Sequence, residues 1–440
     1  MSGGVKFSPH TPPRRAYHFI RIYHNMVAAN NKRSSNVLQT DNPLQKTHNR
    51  ASQLGIYGSI ASPTQADIQL INRYSLQCHA REIIPAFAIQ HCQRRIIPLK
   101  TNETGEQVKN RMEVDIFVSA TNSKAFYGNV VTCKSVWVCP VCASKITERR
   151  RQDLTEALTR SRDMGHYHLL ASYTVSHQKR DTLRYVADGM RNAFRKLKSG
   201  KSWQLFKNRY NWLGDIKSTE ITHGANGWHF HFHQIIVLES KPTPGQEIRL
   251  KQELKTRWRQ SLGREGKYAN WTNGLDIRPT DDFVGDYVQK IGNWTVEHEM
   301  TKAPAKTGKQ RGRTPLQLLL DYATTGEIEA RQLFREYALF TKRKNQLYWS
   351  LGLRELLGME KEKTDEELAD ETEDNAILLA ILDKADWLML QYLQLRGHAL
   401  IEARAAYEAD DFGLFDEWLK QTRTKYLASR KNKDDASDLE

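Results

Sequence analysis

Three histidines at a spacing of two, His229, His231 and His233, are the residues of this 440-residue chain best placed to do chemistry. They lie in residues 215–238, DIKSTEITHGANGWHFHFHQIIVL, which read as two alternating runs around a Gly-Ala-Asn-Gly centre at residues 224–227. A spacing of two puts all three on one face of a strand. A metalloprotease helix would need a spacing of four. A turn symmetric about Ala225 and Asn226 pairs Glu220 with His231, and paired residues project to the same side. A carboxylate and two or three imidazoles then converge from adjacent strands, a donor set suited to Mn²⁺, Mg²⁺ or Zn²⁺.

A second cluster is made of thiols. Cys133, Cys139 and Cys142 fall within ten residues, in CKSVWVCPVC. A Cys-x-x-Cys knuckle suits tetrahedral zinc, and Cys133 offers a third thiolate. The fourth ligand is drawn from Cys92, Cys78, His91 or His79, of which Cys92 is our choice. Five cysteines in a chain this long are no disulfide framework. No thioredoxin-like strand-helix context surrounds the knuckle, which argues against a redox pair.

The elements that must position these groups follow from the surrounding pattern. Residues 168–177, HLLASYTVSH, read as a central strand with His177 at its end, and residues 181–198 and 248–262 read as helices packed on the sheet. A helix over 144–160 carries Arg149, Arg150 and Arg151, and Lys196 and Lys198 close the helix over 181–198 beside Trp203. These cations are candidate phosphate contacts, and the aromatic ring suits stacking on single strands. Thr314-Pro315 opens another helix. Residues 377–427 show helical periodicity, and the tail from Ser429 is polar and expected to be disordered.

Composition narrows the partners. A formal charge of +15 and a pI near 9.4 favour polyanions. No apolar run is long enough to span a bilayer, and the N-terminus lacks a secretory layout, so a cytoplasmic protein without membrane attachment is expected. The nearest approach to a phosphate-binding helicase loop, residues 263–267, is too short.

On the stretch GANGWHFHFHQIIVL the chain resembles the HUH endonucleases, in the version found in rolling-circle plasmid replication initiators of the single-tyrosine type. The resemblance implies that His231 and His233 are the ligand pair, with His229 a further candidate; relatives commonly have Pro where Phe230 stands. Such proteins nick one DNA strand with a tyrosine and stay attached to its 5′ phosphate. Their Tyr-x-x-Lys signature falls here on Tyr287 and Lys290, three residues apart and so on one helical face. A nearby ammonium favours the phenolate of a group whose ordinary pKa is near 10. Where some relatives place a water-activating glutamate this chain has Phe283, with Asp282, Asp286 and Glu297 as substitutes, so hydrolysis and a second transesterification both stay open as endings. Relatives also carry a Cys…Cys-Pro-x-Cys element before a basic helix, which makes the zinc structural.

The expected fold is α+β: an antiparallel sheet flanked by helices, with a zinc-binding N-terminal region and a helical C-terminal segment. The expected divisions are a flexible basic arm (1–63), the zinc knuckle and basic helix (64–160), the nickase (161–300), a helical closing segment (301–360) and an acidic, helical appendage (361–440). The resemblance implies Mg²⁺ or Mn²⁺ at the nicking site, single-stranded or cruciform plasmid origin DNA as substrate, and a host helicase and replication machinery as partners. A transposase or relaxase with the same chemistry is the near alternative. A zinc-containing DNA-binding regulator without catalysis is the distant one.

Overall fold

Several helices in this chain begin where a side chain satisfies one of their first amide groups. In the computed structural model, which describes residues 64–101, 107–109, 112–280, 312–371 and 375–437, Thr64 and Asp67 exchange capping-box hydrogen bonds at the start of α1 (Gln65–Ile83). Two short hairpins follow, β1 (Leu99–Thr101) with β2 (Gln107–Lys109) and β3 (Val114–Ser119) with β4 (Ala125–Gly128). Cys139 caps α2 (Pro140–Asp163), with Pro140 in the first turn, where its missing N–H is no loss. Next come β5 (Tyr167–Tyr173), α3 (Leu183–Leu197) capped by Thr182, and α4 (Gly200–Arg209). The long hairpin β6 (Trp212–Gly224) and β7 (Gly227–Leu238) leads to α5 (Pro244–Gly263) and β8 (Leu275–Pro279). After Gly312 the chain forms α6 (Pro315–Thr325), α7 (Ile328–Thr341), β9 (Leu347–Trp349), α8 (Leu353–Leu356) and α9 (Asp365–Asp370). It ends in β10 (Ala376–Leu382), α10 (Lys384–Tyr392), α11 (Arg396–Glu408) and α12 (Gly413–Ser437).

Five strands make one antiparallel sheet in the order β8-β5-β7-β6-β9. Its two faces are built differently. On one, Phe230 and Phe232 of β7 and Tyr173 of β5 are buried; Phe194 of α3 packs 5.1 Å from Phe232, and Trp258 of α5 packs 5.1 Å from Tyr173. The Trp258 indole is fully buried and donates to Thr174 O at 3.1 Å, so truncating it to Ala costs about 3–5 kcal/mol. On the other face, Leu154, Ala157 and Leu158 of α2 cover Leu170, Ile216, Ile235 and Val237. That apolar cover stops at His233: further along β7 the same face carries the histidines.

A second, three-stranded sheet in the order β10-β3-β4 corrects the expectation that the C-terminal segment is wholly helical. Residues 376–382, AILLAIL, are an uninterrupted apolar run, and such a run carries no period that separates a strand from a buried helix. β10 pairs antiparallel with β3, and Leu382, Trp387, Leu390 and Ala403 share one core with Val114, Ile116 and Tyr127. The polar tail is also ordered differently, since α12 continues to Ser437. The basic arm of residues 1–63 lies outside the described residues. Among the described residues no helix is long and apolar enough to cross a membrane.

Candidate functional site

The β6–β7 hairpin fixes the site by its register. Gly224 pairs with Gly227 around Ala225 and Asn226, which sets Thr222 opposite His229, Glu220 opposite His231 and Ser218 opposite His233. Gly227 is needed there: its φ is +89°, and a Cβ would lie 3.0 Å from both the Cα and the carbonyl oxygen of Lys179. The loop that approaches so closely brings His177 onto His229.

Glu220, His231 and His233 offer ligand atoms that all lie within 4.8 Å of one another. His233 Nε2 donates to Glu220 Oε2 at 2.6 Å, and His231 Nδ1 lies 3.7 Å from the same oxygen. On its other side His233 Nδ1 meets Ser172 Oγ of β5 at 2.9 Å. With a cation on Nε2, that second nitrogen would donate to the serine and hold the ring's orientation. Burial opposes the charge on Glu220, but the adjacent His231 and His233 imidazoles outweigh it and hold the carboxyl well below the usual carboxylate range. The group is therefore an ionised, two-oxygen acceptor at neutral pH.

His229 belongs to the same face and has its own partner. His177 Nδ1 donates to Asn226 O at 2.9 Å, which leaves Nε2 of the neutral ring to accept from His229 Nδ1 at 3.1 Å. Burial first, then the neighbouring His177, His231 and His223, lowers the His229 pKa to about 4. His229 is neutral at pH 7, with Nε2 retaining its lone pair. From the sequence, His177 is either recruited to the site or an ordinary strand-end histidine, and its hydrogen bond to His229 shows the former; Ser172 has no local signal, because the cross-strand pairing that recruits it is not visible in local pattern.

The cysteine cluster assembles from three segments. Cys92 follows a short turn after α1, Cys133 lies after β4, and Cys139 and Cys142 open α2. Cys92 Sγ lies 3.7 Å from Cys139 Sγ and 3.5 Å from Cys142 Sγ, and Cys133 Sγ lies 3.7 Å from Cys142 Sγ. A disulfide would need sulfurs about 2 Å apart. Four sulfurs about 2.3 Å from one tetrahedral zinc stand roughly 3.8 Å from each other, which is what these distances fit. Against the burial that opposes its charge, Cys139 is held well below the ordinary thiol range by hydrogen bonds from Cys133, Cys142 and Cys92 and from the Cys142 N–H. Gln77 Nε2 also donates to Cys139 Sγ at 3.3 Å. Around the cluster, Arg81 donates to Ile89 O and Cys92 O, and Arg396 of α11 donates to Gln93 O at 2.8 Å.

The basic residues singled out by sequence are largely committed to internal contacts. Arg150 is buried against Asp365 and Gln346, Arg149 pairs with Glu371 at 3.0 Å, and Arg151 grips Glu148 one turn away. Lys198 reaches both oxygens of the buried Asp215 at 2.6 and 2.7 Å, and Lys196 pairs with Glu265. Trp203 is a core residue, 3% exposed. These placements do not favour phosphate contact by Arg150 or Lys198. Tyr287 and Lys290, with Asp282, Phe283, Asp286 and Glu297, fall between Thr280 and Gly312, outside the described residues.

Known proteins match the same part of the chain. Residues 124–278 match the family model described as "Replication protein", a span that runs from β4 to β8 and includes the whole hairpin. "Protein rep" of Streptomyces lividans is 23% identical over 315 residues, covering 57% of this chain and 68% of the relative. "Neomycin resistance protein" of Streptomyces cyanogenus is 26% identical over 156 residues, covering 30% of this chain and 36% of that protein. No solved structure gives a significant match. Over residues 124–278, from β4 to β8, the chain is thus similar to a replication-protein domain, and a curated relative named "Protein rep" shares that similarity along most of its own length.

Proposed function

We propose that the protein is an initiator of plasmid replication that nicks one strand of its origin through a tyrosine, on an HUH endonuclease scaffold. The observation that carries this reading is the convergence of Glu220, His231 and His233 on one face of a hairpin inside the replication-protein domain. Imidazole and carboxylate together suit Mg²⁺ or Mn²⁺, and a divalent cation held there would neutralise charge on the oxygens of the scissile phosphate.

This chain's own groups supply the rest. Glu220 and the two histidines would hold the cation that draws in the phosphate, and Ser172 keeps the His233 ring in orientation. The Tyr287 oxygen, with Lys290 favouring its deprotonated form, bonds to phosphorus. The bond from phosphorus to the 3′ oxygen breaks, and that oxygen takes a proton. The products are a 5′-phosphotyrosine, which conserves the energy for rejoining, and a free 3′ hydroxyl that primes synthesis. Cys92, Cys133, Cys139 and Cys142 hold a structural zinc in this reading, and strand separation falls to a host helicase.

The test is nicking of a labelled single-stranded origin oligonucleotide with Mn²⁺, resolved on a denaturing gel. Wild type is expected to give a covalent protein-DNA band that Tyr287→Phe abolishes. A band that persists in Tyr287→Phe moves the nucleophile to another tyrosine. Intact binding to a verified origin with no band in any protein selects the non-catalytic regulator. Replication of an origin plasmid in a host strain separates an initiator from a transposase or relaxase.

A further inference from the structure

Four cations that form no run in the sequence gather where α3 meets the β6–β9 edge of the five-stranded sheet. Arg184 of α3 is exposed and forms no ion pair among the described residues. Arg191, one face along, has only Asp188 at 3.8 Å. Lys217 of β6 points to the face opposite Glu220, with its Nζ 4.3 Å from the Phe232 ring centre, 5.1 Å from Phe194 and 5.8 Å from Tyr348. Lys344, in the turn before β9, lies over Phe340 at 4.4 Å. Tyr348 of β9 pairs with Lys217 in register and leaves 52% of its surface in solvent.

These groups act on one another as like charges that Asp188 and Asp215 offset only in part. Burial, then Arg191 and Arg184, lowers the Lys344 pKa. Burial, then Lys198 and Arg191, brings Lys217 to about 8. An excess of positive charge over nearby carboxylates is unfavourable in the free protein and is relieved when a polyanion supplies further negative charge. An exposed phenol ring among such cations adds a stacking surface that any base can use.

We infer that the β6–β9 edge and α3 form a binding surface for single-stranded DNA, with Arg184, Arg191, Lys217 and Lys344 holding the phosphodiester backbone and Tyr348 stacking on a base. The inference rests on the DNA-nicking reading and adds to it where the strand is held. Lys217 and Glu220 are three residues apart on β6, about 10 Å along a rigid strand, so the surface and the triad keep a fixed relation.

The experiment is fluorescence anisotropy of the full chain, zinc retained, with a labelled oligo-dT, which contains no origin and reports holding alone. Arg184→Glu/Arg191→Glu is expected to weaken binding at least tenfold near physiological salt. It should also flatten the salt dependence, since each lost phosphate contact removes about 0.7 from the slope for single strands. Lys384→Glu/Lys420→Glu, the same charge change on exposed sites of the C-terminal helices, is expected to shift binding less than twofold. Tyr348→Ala should weaken oligo-dT more than a duplex of equal length. Circular dichroism and melting of each variant establish that the fold is retained, and Arg184→Gln/Arg191→Gln, which should weaken binding by a smaller factor, stands in for the reversal if it does not fold. Unchanged affinity and slope in the folded arginine variants overturn the inference, even where wild type nicks its origin. Patch-dependent binding by a wild-type protein that never nicks leaves the surface standing and sinks the nicking reading instead.

Discussion

The cysteine cluster and the glutamate–histidine triad offer metal-ligand donors in opposite settings. Cys92 and Cys139 are fully buried and Cys142 is 4% exposed, four sulfurs close on one another, and the surrounding amides and guanidiniums come from α1 and α11. The triad has three donors, on a strand face where the Glu220 side chain is 38% exposed and His231 30%. A closed four-ligand shell leaves a cation nothing to do but hold chain segments together, whereas three donors, two of them partly exposed, leave coordination positions for a substrate. The difference lies in what each cluster is attached to. The thiols tie together segments that are far apart in sequence, and the triad is built on a single hairpin that needs no cation to hold its register.

That contrast is broken most directly by removing one ligand from each. Cys139→Ser leaves buried sulfurs without their shared partner, and if a structural zinc sits there its binding energy is folding energy. A loss of about 5 kcal/mol, or ~5 °C in melting temperature for a chain of this length, is expected by calorimetry, with a comparable fall when a strong chelator strips the wild type. Melting within about 2 °C of wild type would show that the cluster holds nothing. His231→Ala should do the reverse. Its melting is expected to move by less than about 1 kcal/mol, because the ring is partly exposed and the register is set by Gly224 and Gly227, while nicking in the gel assay falls at least ~100-fold. Equal losses of stability and activity would erase the distinction.

Legibility in the sequence follows the same division. The hairpin could be read because its determinants are local: a two-residue turn between flanking glycines sets the register, and period two sets the face. The thiols of 133, 139 and 142 were legible by spacing, but Cys92 stands 47 residues before Cys139, and only the folded chain brings it there. Charge was the least legible property. A run such as Arg149-Arg150-Arg151 reads as a basic face, yet the carboxylate that engages Arg150 is Asp365, 215 residues away. The open cations, Arg184, Arg191, Lys217 and Lys344, are scattered across three elements and form no run. β10 was misread because an apolar run without alternation signals burial but not the kind of element that is buried.

Smaller changes sharpen the triad's side of the comparison. Ser172→Ala removes the hydrogen bond that orients His233 but no ligand, so divalent-cation affinity measured by calorimetric titration is expected to fall 10–100-fold with the fold unchanged. An unaltered affinity would mean that the strand alone fixes the ring.

The smallest expected effect concerns His229, and its sign follows from the site's electrostatics. Burial and three neighbouring histidines lower its pKa to about 4 in the folded chain, against about 6.5 when unfolded. Between those values the unfolded state binds the extra proton, so stability present above pH 6.5 is lost as the pH falls towards 4 and changes no further below it. The ring is half-exposed, and solvent screening reduces the loss to on the order of 1–2 kcal/mol. Urea unfolding of wild type and His229→Gln at pH 7 and pH 5, with no added divalent cation, isolates this contribution, because glutamine can still donate to His177 but cannot titrate. The variant should lose less stability on acidification than wild type. Parallel losses in the two proteins would place the acid sensitivity elsewhere and leave His229 as an ordinary surface imidazole, unlike the two below it on the strand.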